Sequence, residues 1–222
     1  NDSIVESISI VDVIEPVAGE NPRYTYNILG SGYQMASEKN NPEYGVKNGL
    51  QWWDTTNGSL KYVFEDDKFI PGHTYVCRVD LSADDDYEFA NDDGTPMVTA
   101  TLNGYSAEIV EEWTNAGEAR VAYEFTCKPA ELALIMLKDI DFPQADREPD
   151  YTATELHSYY YMLDPNYGMN GSGIYWYDSE GNMMENGDKF QLGEQYKVEI
   201  KIVSKKIDGA NISKFITPLT AY

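Results

Sequence analysis

An internal repeat constrains the fold of this chain more than any other feature of its sequence. Residues 11–25 match residues 138–152 at a constant spacing of 127 residues. The shared positions include Pro16, Pro22 and Tyr24 in the first stretch, and Pro143, Pro149 and Tyr151 in the second. A repeat of this length indicates that one structural unit occurs twice.

Two further blocks follow in the same order. Residues 49–54, Gly-Leu-Gln-Trp-Trp-Asp, recur as residues 173–178, Gly-Ile-Tyr-Trp-Tyr-Asp. Residues 69–79 recur as residues 190–200, where phenylalanine, glycine and tyrosine keep their spacing. The offset slips to 124 and then to 121 residues, as shorter loops in the second copy would produce.

The pattern inside each copy is that of β-strands. Apolar and polar residues alternate in residues 75–81, 98–102 and 121–127, and in the second copy in residues 196–202. Turn-forming pairs such as Asn-Gly and Asp-Gly separate these runs. We therefore predict an all-β protein of two tandem antiparallel β-sandwich modules, immunoglobulin-like in organisation. The predicted modules span residues 1–128 and 129–222.

The two copies differ at their ends. Residues 130–136 combine helix-forming residues, and we expect a linker with a short helical turn there. The first copy continues past residues 99–104 into about 20 more residues, which end with the strand of residues 121–127. The second copy has no counterpart of that strand, so we expect an exposed sheet edge that invites pairing with another chain or with a further part of a longer protein.

The charge of the chain excludes some partners. Asp and Glu number 38 against 16 Lys and Arg, which gives a formal net charge of −22. Phosphate contacts need clustered cations, so we expect neither nucleic-acid binding nor attraction to an anionic membrane. No apolar run approaches the length of about 20 residues that spans a bilayer, so membrane insertion is not expected.

The repeated motifs resemble those of a known group of proteins. They comprise a Gly-Leu/Ile-x-Trp-x-Asp strand, a Phe-x-x-Gly-x-x-Tyr turn and strand, and Thr-Ala-Thr-Leu-Asn-Gly at residues 99–104. Together they resemble repeated immunoglobulin-like modules in large surface proteins of Gram-positive gut bacteria. The resemblance implies an extracellular protein, secreted or attached to the cell wall, whose modules act as spacers, adhesion units or accessory pieces beside other domains. It brings no catalytic residues with it.

Aromatic residues are the first candidates for ligand binding. Trp52 and Trp176 are expected in the core, which places Trp53 and its counterpart Tyr177 on the opposite face. There they could stack on sugar rings or take part in cross-strand packing. Tyr159, Tyr160 and Tyr161 add amphipathic contact area that suits sugar or protein binding, although they could equally cover β-sheet surface.

Acidic loops are candidates for calcium. Asp84, Asp85, Asp86, Asp92 and Asp93 lie in a predicted loop that also contains a turn glycine. Ca²⁺ prefers six to eight oxygen ligands, yet the stretch lacks the ligand spacing of an EF-hand. A calcium site and a solvated loop are the alternatives; no other cofactor is expected.

Two cysteines, Cys77 and Cys127, lie in predicted strands of the first copy. If those strands are neighbours, a disulfide could clamp the module; a pair of buried thiols is the alternative. His73 lies in a turn and His157 in no motif, and the sequence contains no nucleophile elbow, zinc motif or phosphate-binding glycine loop.

A non-catalytic scaffold is therefore the leading hypothesis. The alternatives are a carbohydrate-binding pair of modules and, last, a glycoside hydrolase that would use two of the many carboxylates. Expected partners are other domains of a longer surface protein, a polysaccharide, or a surface protein of host or bacterium.

Overall fold

The chain folds into two compact β-rich units, residues 1–128 (unit 1) and residues 129–222 (unit 2). A computed structural model describes residues 2–91, 93–156 and 159–221. The helices of the described residues are single 3-10 turns, at Pro42–Tyr44, Thr56–Gly58, Glu111–Trp113 and Met169–Gly171. None of them is long or apolar enough to cross a membrane. The all-β prediction is confirmed, and the unit boundary coincides with the boundary between the two sequence copies.

Unit 1 consists of short strands separated by turns. Its strands are β1 (Ser3–Ile4), β2 (Ser7–Val11), β3 (Asn27–Leu29), β4 (Tyr33–Met35), β5 (Val46–Lys47), β6 (Leu50–Asp54), β7 (Lys61–Val63), β8 (Thr74–Ala83), β9 (Tyr87–Glu88), β10 (Thr99–Leu102), β11 (Tyr105–Ile109) and β12 (Glu118–Thr126). The longest, β8 and β12, pair antiparallel over nine consecutive residues, which makes β8 the central strand of the unit.

Most strands of unit 1 form one continuous sheet, in the order β3-β2-β10-β11-β12-β8-β6-β5, with β4 beside β8 and β7 beside β6. Strand β11 joins the two halves of this sheet. Its residues 105–107 pair with β10, whereas Glu108 and Ile109 pair with β12. Strand β2, which comes first along the chain among the strands of this sheet, runs parallel to its neighbour β10.

The core of unit 1 follows from the alternation that the sequence predicts. In β8 the side chains of Cys77, Val79 and Leu81 are fully buried, as is Trp52 on the neighbouring strand β6. The Trp52 ring packs edge-on against Phe69, with ring centroids 5.4 Å apart. Such aromatic pairs add stability beyond the area that they bury.

Unit 2 repeats this plan with fewer strands. Its strands are β13 (Ala130–Lys138), β14 (Thr154–Leu156), β15 (Tyr161–Leu163), β16 (Ile174–Tyr177), β17 (Lys197–Ile200), β18 (Ile202–Ser204), β19 (Lys206–Ile207), β20 (Ala210–Asn211) and β21 (Ser213–Ala221). They form a sheet in the order β14-β13-β21 and the pairs β15-β18, β16-β17 and β19-β20. Strands β13 and β21 run parallel. Residues 130–136, expected as a linker with a helical turn, belong to β13; pairing with β21 along residues 130–135 and with β14 from Met136 onwards overrides their helical propensity.

The core of unit 2 is built on Trp176. It forms a buried cluster with Ile174, Met184 and Phe190. The Trp176 and Phe190 rings meet edge-on at 5.2 Å, which reproduces the contact between Trp52 and Phe69 in unit 1.

The two units share a framework of equivalent hydrogen bonds. The indole N–H of Trp52 donates to the carbonyl of Arg23 at 2.9 Å, and that of Trp176 donates to the carbonyl of Asp150 at 2.7 Å. Arg23 and Asp150 are 127 residues apart, which is the spacing of the first repeated block. The duplicated tryptophan therefore ties its strand to the same proline-rich segment in both units.

A buried tyrosine forms a second equivalent anchor. The hydroxyl of Tyr33 accepts a hydrogen bond from the Ser9 amide and donates to the carbonyl of Leu29. In unit 2 the hydroxyl of Tyr161 accepts from the Met136 amide and donates to the carbonyl of Leu156. Each tyrosine thus links the first long strand of its unit to the strand that pairs with it.

A glycine allows the same close backbone approach in each unit. Gly49 and Gly173 have positive φ angles of 72° and 80°. A Cβ atom on Gly49 would lie 3.2 Å from the carbonyl oxygen of Asp80, and one on Gly173 would lie 3.1 Å from that of the equivalent Lys201. Only glycine fits such a position without strain.

Candidate functional site

Strand alternation places Trp53 on the face of β6 opposite the core. The ring is half-buried, since the Arg78 guanidinium lies 4.4 Å from the ring centroid. Its indole N–H donates to the Gln51 side-chain oxygen at 2.8 Å. Trp53 is therefore held in a fixed orientation with part of its ring accessible.

Further rings extend this surface. Tyr62 lies directly opposite Trp53 in the ladder between β6 and β7, with ring centroids 4.5 Å apart. Tyr44 and Phe64 pack against Tyr62 and are 42% and 40% exposed. We call Trp53, Tyr62, Tyr44 and Phe64 the unit 1 aromatic face. The sequence pattern identified Trp53 alone. The two-residue spacing of Tyr62 and Phe64 was a signal for those two rings, whereas Tyr44 lies in the 3-10 turn Pro42–Tyr44 and had none.

Arg78 gives this face a polar group. Its Nε is buried and has no hydrogen-bond partner among the described residues. Burial, with repulsion from Arg120, lowers the pKa of the Arg78 guanidinium. A buried donor without a hydrogen-bond partner costs free energy.

Unit 2 carries a different surface at the equivalent place. Tyr177 stands on β16 and packs against Tyr175, which packs against Tyr167, with ring centroids 6.3 and 4.8 Å apart. We call these three residues the unit 2 aromatic face. The ammonium of Lys197 lies 5.6 Å from the Tyr177 ring centroid.

The phenol of Tyr167 donates a hydrogen bond to the Glu199 carboxylate. The bond raises the pKa of Tyr167 and lowers the pKa of Glu199, because it favours the neutral phenol and the ionised carboxylate. Glu199 therefore remains a hydrogen-bond acceptor at neutral pH.

An open cavity of about 500 Å³ lies beside Tyr177. Its lining residues are Tyr177, Asp178, Ser179, Gly181, Gln195, Tyr196, Lys197 and Glu199. An aromatic ring next to carboxylates, an amide and an ammonium group is a combination suited to a ligand with many hydroxyls.

The tyrosine run of residues 159–161 does not form a single surface. Tyr161 is only 1% exposed, because its hydroxyl is the anchor between β13 and β14, so its interpretation as a ligand-binding residue is wrong. Tyr159 is 40% exposed, and its ring packs edge-on against Tyr160 at 5.0 Å. These two residues remain candidates for surface contacts.

The acidic loop shows no grouping for calcium in the part of the chain that the structure describes. There, no three His, Cys, Asp or Glu side chains are arranged to hold a metal ion. The Asp93 carboxylate accepts the Thr95 amide at 2.9 Å and so closes its own turn. The backbone carbonyl of Asp86 accepts the Ser3 amide. Asp84 and Asp85 are among the residues in which no such grouping is found, whereas Asp92 lies outside the described residues.

Cys77 and Cys127 are buried free thiols, the second of the two alternatives. Their strands are neighbours, but Tyr123 lies opposite Cys77. Cys127 is four residues further along, about 13 Å at the rise of a strand, which exceeds the reach of a disulfide. Burial raises the pKa of both thiols, that of Cys127 to about 12, so both stay protonated and unreactive.

His73 is bound to a carboxylate in a turn. Its Nδ1 lies 2.8 Å from Asp54 Oδ2, while Asp54 Oδ1 accepts the Thr56 amide. Burial raises the pKa of Asp54, but the hydrogen bonds from Thr56 and His73 outweigh burial and lower it overall. The arrangement fastens the turn before β8 to the end of β6. His157 lies outside the described residues.

Among the described residues, the carboxyl groups whose pKa is displaced all have a lowered pKa. They are Asp54, Asp93, Asp150, Asp164, Asp178 and Glu199. A glycosidase general acid requires the opposite displacement, so that it stays protonated at neutral pH.

Comparison with known proteins adds no assignment. No family model, no curated protein and no solved structure matches this chain.

Proposed function

We propose that this chain is a non-catalytic extracellular scaffold of two immunoglobulin-like modules. It would act as a spacer or adhesion segment of a secreted or wall-attached surface protein, beside other domains. The observation that carries the proposal is the contrast between interior and surface. The tryptophan, tyrosine and glycine anchors recur in both units, whereas the outer faces differ in aromatic residues and charge.

Strand order in unit 2 also suits a spacer under tension. Its first described strand, β13, and its last, β21, are parallel neighbours. Pulling on the start of β13 and the end of β21 loads their hydrogen bonds in shear, so that several bonds must break together. A segment that transmits force between a surface and a ligand benefits from this geometry.

Single-molecule force measurement tests the spacer proposal. Unit 2 pulled from residues 129 and 221 is expected to rupture at high force and release about 300 Å of chain, at roughly 3.3–3.6 Å per residue. The control attaches the handles at residues 139 and 221, at the same end of the two strands. There the bonds break one at a time, and the force should be much lower. Equal low forces in both geometries would contradict a mechanical role.

Carbohydrate binding is the second candidate function. Two observations favour it: the half-buried Trp53, whose ring packs against the Arg78 guanidinium, and the cavity beside Tyr177. Aromatic rings can stack on sugar rings, and the adjacent polar groups can accept or donate hydrogen bonds to sugar hydroxyls. The downward pKa displacements of the carboxyl groups support binding without cleavage.

A glycan array with purified protein tests this second candidate. Trp53→Ala and Tyr177→Ala are expected to reduce retention of any bound polysaccharide at least tenfold, since each removes a stacking ring. The matched controls Tyr87→Ala and Phe142→Ala remove exposed rings elsewhere and should leave retention unchanged. Retention that survives both site variants would place the glycan site outside the two aromatic faces.

A further inference from the structure

Unit 2 carries an asparagine–glycine pair in an exposed turn, residues 185–188. The turn is closed twice: the Asp188 amide donates to the carbonyl of Glu185 at 3.1 Å, and the Glu185 amide donates to the Asp188 carboxylate at 2.7 Å. Gly187 has a φ of 89°, the positive angle that a type II turn needs at its third residue. The second residue, Asn186, is exposed and takes no part in closing the turn.

Unit 1 has the equivalent turn with other residues in its middle. It spans residues 64–67, which lie 121 residues earlier. The Asp67 amide donates to the carbonyl of Phe64 at 3.0 Å, and the Phe64 amide donates to the Asp67 carboxylate at 2.7 Å. Its middle residues are Glu65 and Asp66, where unit 2 has asparagine and glycine. The two closing bonds, and not the asparagine side chain, therefore hold this turn together.

An asparagine followed by a glycine can react with its own backbone. The backbone nitrogen of the glycine attacks the side-chain carbonyl carbon of the asparagine, and glycine has no Cβ to obstruct the approach. The glycine amide must first lose its proton to solvent, and the asparagine side chain must turn towards it. A hydrogen bond on either group has to open before this happens, which raises the barrier. The pair without such bonds is therefore the reactive one.

The chain contains five asparagine–glycine pairs, which begin at residues 48, 57, 103, 170 and 186. The Asn103 side chain is bound at both ends: its oxygen accepts the Val13 amide at 3.1 Å, and its nitrogen donates to the carbonyl of Val13 at 2.8 Å. In the pair of Asn48 and Gly49, the glycine amide donates to the carbonyl of Lys39 at 2.9 Å. Folding thus holds one reacting group in each of these two pairs.

Two further pairs are held through the glycine amide. After Asn57, the glycine amide donates to the carbonyl of Thr55 at 3.1 Å. After Asn170, it donates to the carbonyl of Gly168 at 3.2 Å. Both bonds close a 3-10 turn. In the Asn186 pair, by contrast, neither the side-chain amide nor the following glycine amide makes a hydrogen bond within the part of the chain that the structure describes.

We propose that Asn186 is a site of spontaneous deamidation, through which the folded protein changes with age. The Gly187 nitrogen attacks the side-chain carbon Cγ of Asn186; the new C–N bond closes a five-membered imide ring, and ammonia leaves. Water then opens the ring at one of its two carbonyls. Opening at Cγ gives aspartate, and opening at the backbone carbonyl gives isoaspartate, whose main chain runs through the side-chain carbon. Water is the only co-reactant, and the inference is independent of the scaffold and glycan-binding proposals.

The two products affect unit 2 differently. Aspartate keeps the backbone and places a carboxylate where unit 1 has Glu65. Isoaspartate adds one methylene to the backbone of a turn that lies between two core residues, Met184 and Phe190, which are 5% and 3% exposed. The Met184 amide also donates to the carbonyl of Trp176 at 2.8 Å. A longer connection disturbs this close-packed region, so isoaspartate destabilises unit 2 and aspartate does not.

Peptide mapping by mass spectrometry tests the proposal on the full chain, incubated at neutral pH in water enriched in heavy oxygen. Asn186 is expected to convert about tenfold faster than any of the other four asparagines, because a hydrogen bond must open first at each of those. Its products should carry the heavy oxygen, since water opens the ring. The rate should rise with pH, because the attacking nitrogen is deprotonated. In urea, which removes the native hydrogen bonds, all five pairs should react at similar rates.

Two variants separate the reaction from its effect on stability. Asn186→Gln should give no conversion at this position, because the longer side chain would have to close a larger ring, and its unfolding temperature should not change with age. Asn186→Asp supplies the first product and should leave the unfolding temperature of unit 2 unchanged. Aged wild-type protein that contains isoaspartate should unfold at a lower temperature than either variant.

The comparison among the pairs decides the matter. Slower conversion of Asn186 than of Asn57 or Asn170 in the folded protein would overturn the proposal. An intact Asn186 in the folded protein, after the chain in urea has converted completely, would overturn it as well.

Discussion

At the scale of single residues, the hydroxyl of the buried Tyr161 side chain joins two strands of unit 2 through their backbone groups. Tyr161→Phe is expected to lower the free energy of unfolding of unit 2 by about 1–3 kcal/mol, because a half-buried amide and a half-buried carbonyl lose this hydrogen-bond partner. Urea denaturation measures the loss. The exposed control Tyr159→Phe should change stability by less than about 0.5 kcal/mol. Equal effects of the two variants would mean that the anchor contributes nothing specific.

Asp54 makes the stability of unit 1 depend on pH. Its pKa in the folded protein lies below the ordinary value of 3.8, so the carboxylate stabilises the fold above that pH. The contribution disappears as the pH falls through the folded pKa. Asp54→Asn should cost about 1.5–3 kcal/mol at pH 7 and flatten the decline in stability below pH 4. Denaturation midpoints from pH 2 to 7 test this, with Asp66→Asn as an exposed control whose profile should match the wild type.

The residue scale also shows what the sequence can and cannot predict. The inward orientation of Trp52 and Trp176 follows from alternation and repetition. Tyr161 looks like its neighbours Tyr159 and Tyr160 in sequence, because a run of identical residues has no apolar-polar contrast. Its role becomes visible only by comparison with Tyr33, across a one-residue insertion that breaks the spacing of 127.

At the scale of elements, β8 and β12 are held together by a half-buried ion pair as well as by their ladder. Arg120 donates to both carboxylate oxygens of Asp80, at 2.7 and 3.1 Å. Asp80→Asn is expected to cost about 3 kcal/mol in the unfolding of unit 1, since it leaves the Arg120 charge poorly compensated. The exposed pair of Lys47 and Glu65 is the control: Glu65→Gln should cost below about 1 kcal/mol. Chemical denaturation of both variants measures the two losses in the free energy of unfolding.

Strand positions were largely predictable from alternation, whereas strand partners were not. As the pattern indicates, residues 75–81 lie in β8, and residues 121–126 lie in β12. Residues 130–136 are strand although their composition favours a helix, because β21 pairs with residues 130–135 and β14 pairs with Met136. The parallel pairing of β13 with β21 depends on residues far apart in the chain, so no local pattern could reveal it.

At the scale of the whole molecule, the two units bury their interiors to different extents. Most of the fully buried large side chains belong to unit 1, whereas Val198, Ile200 and Ile202 of unit 2 are only half-buried. We expect unit 2 to unfold at a lower temperature, because less apolar surface is removed from water. Calorimetry should resolve two transitions, and Trp176→Phe should remove the fluorescence change from the lower one. If Trp176→Phe instead removes the fluorescence change from the upper transition, unit 2 is the unit that unfolds at the higher temperature.

The duplication and the unit boundary are visible in the sequence because the framework residues that form the core cannot vary freely. The aromatic faces were predicted only in part. Trp53 and Tyr177 mark them, but Tyr44 and Phe64 come from other parts of the chain.

The buried thiols give the chain an internal reporter. Cys77 and Cys127 both lie in unit 1, and protonation and burial protect them from alkylating reagents while that unit is folded. Pulsed alkylation of the unmodified protein would therefore time the opening of unit 1 alone, since unit 2 contains no cysteine. The kinetics of one half of the molecule can thus be followed in the presence of the other, without introducing a label.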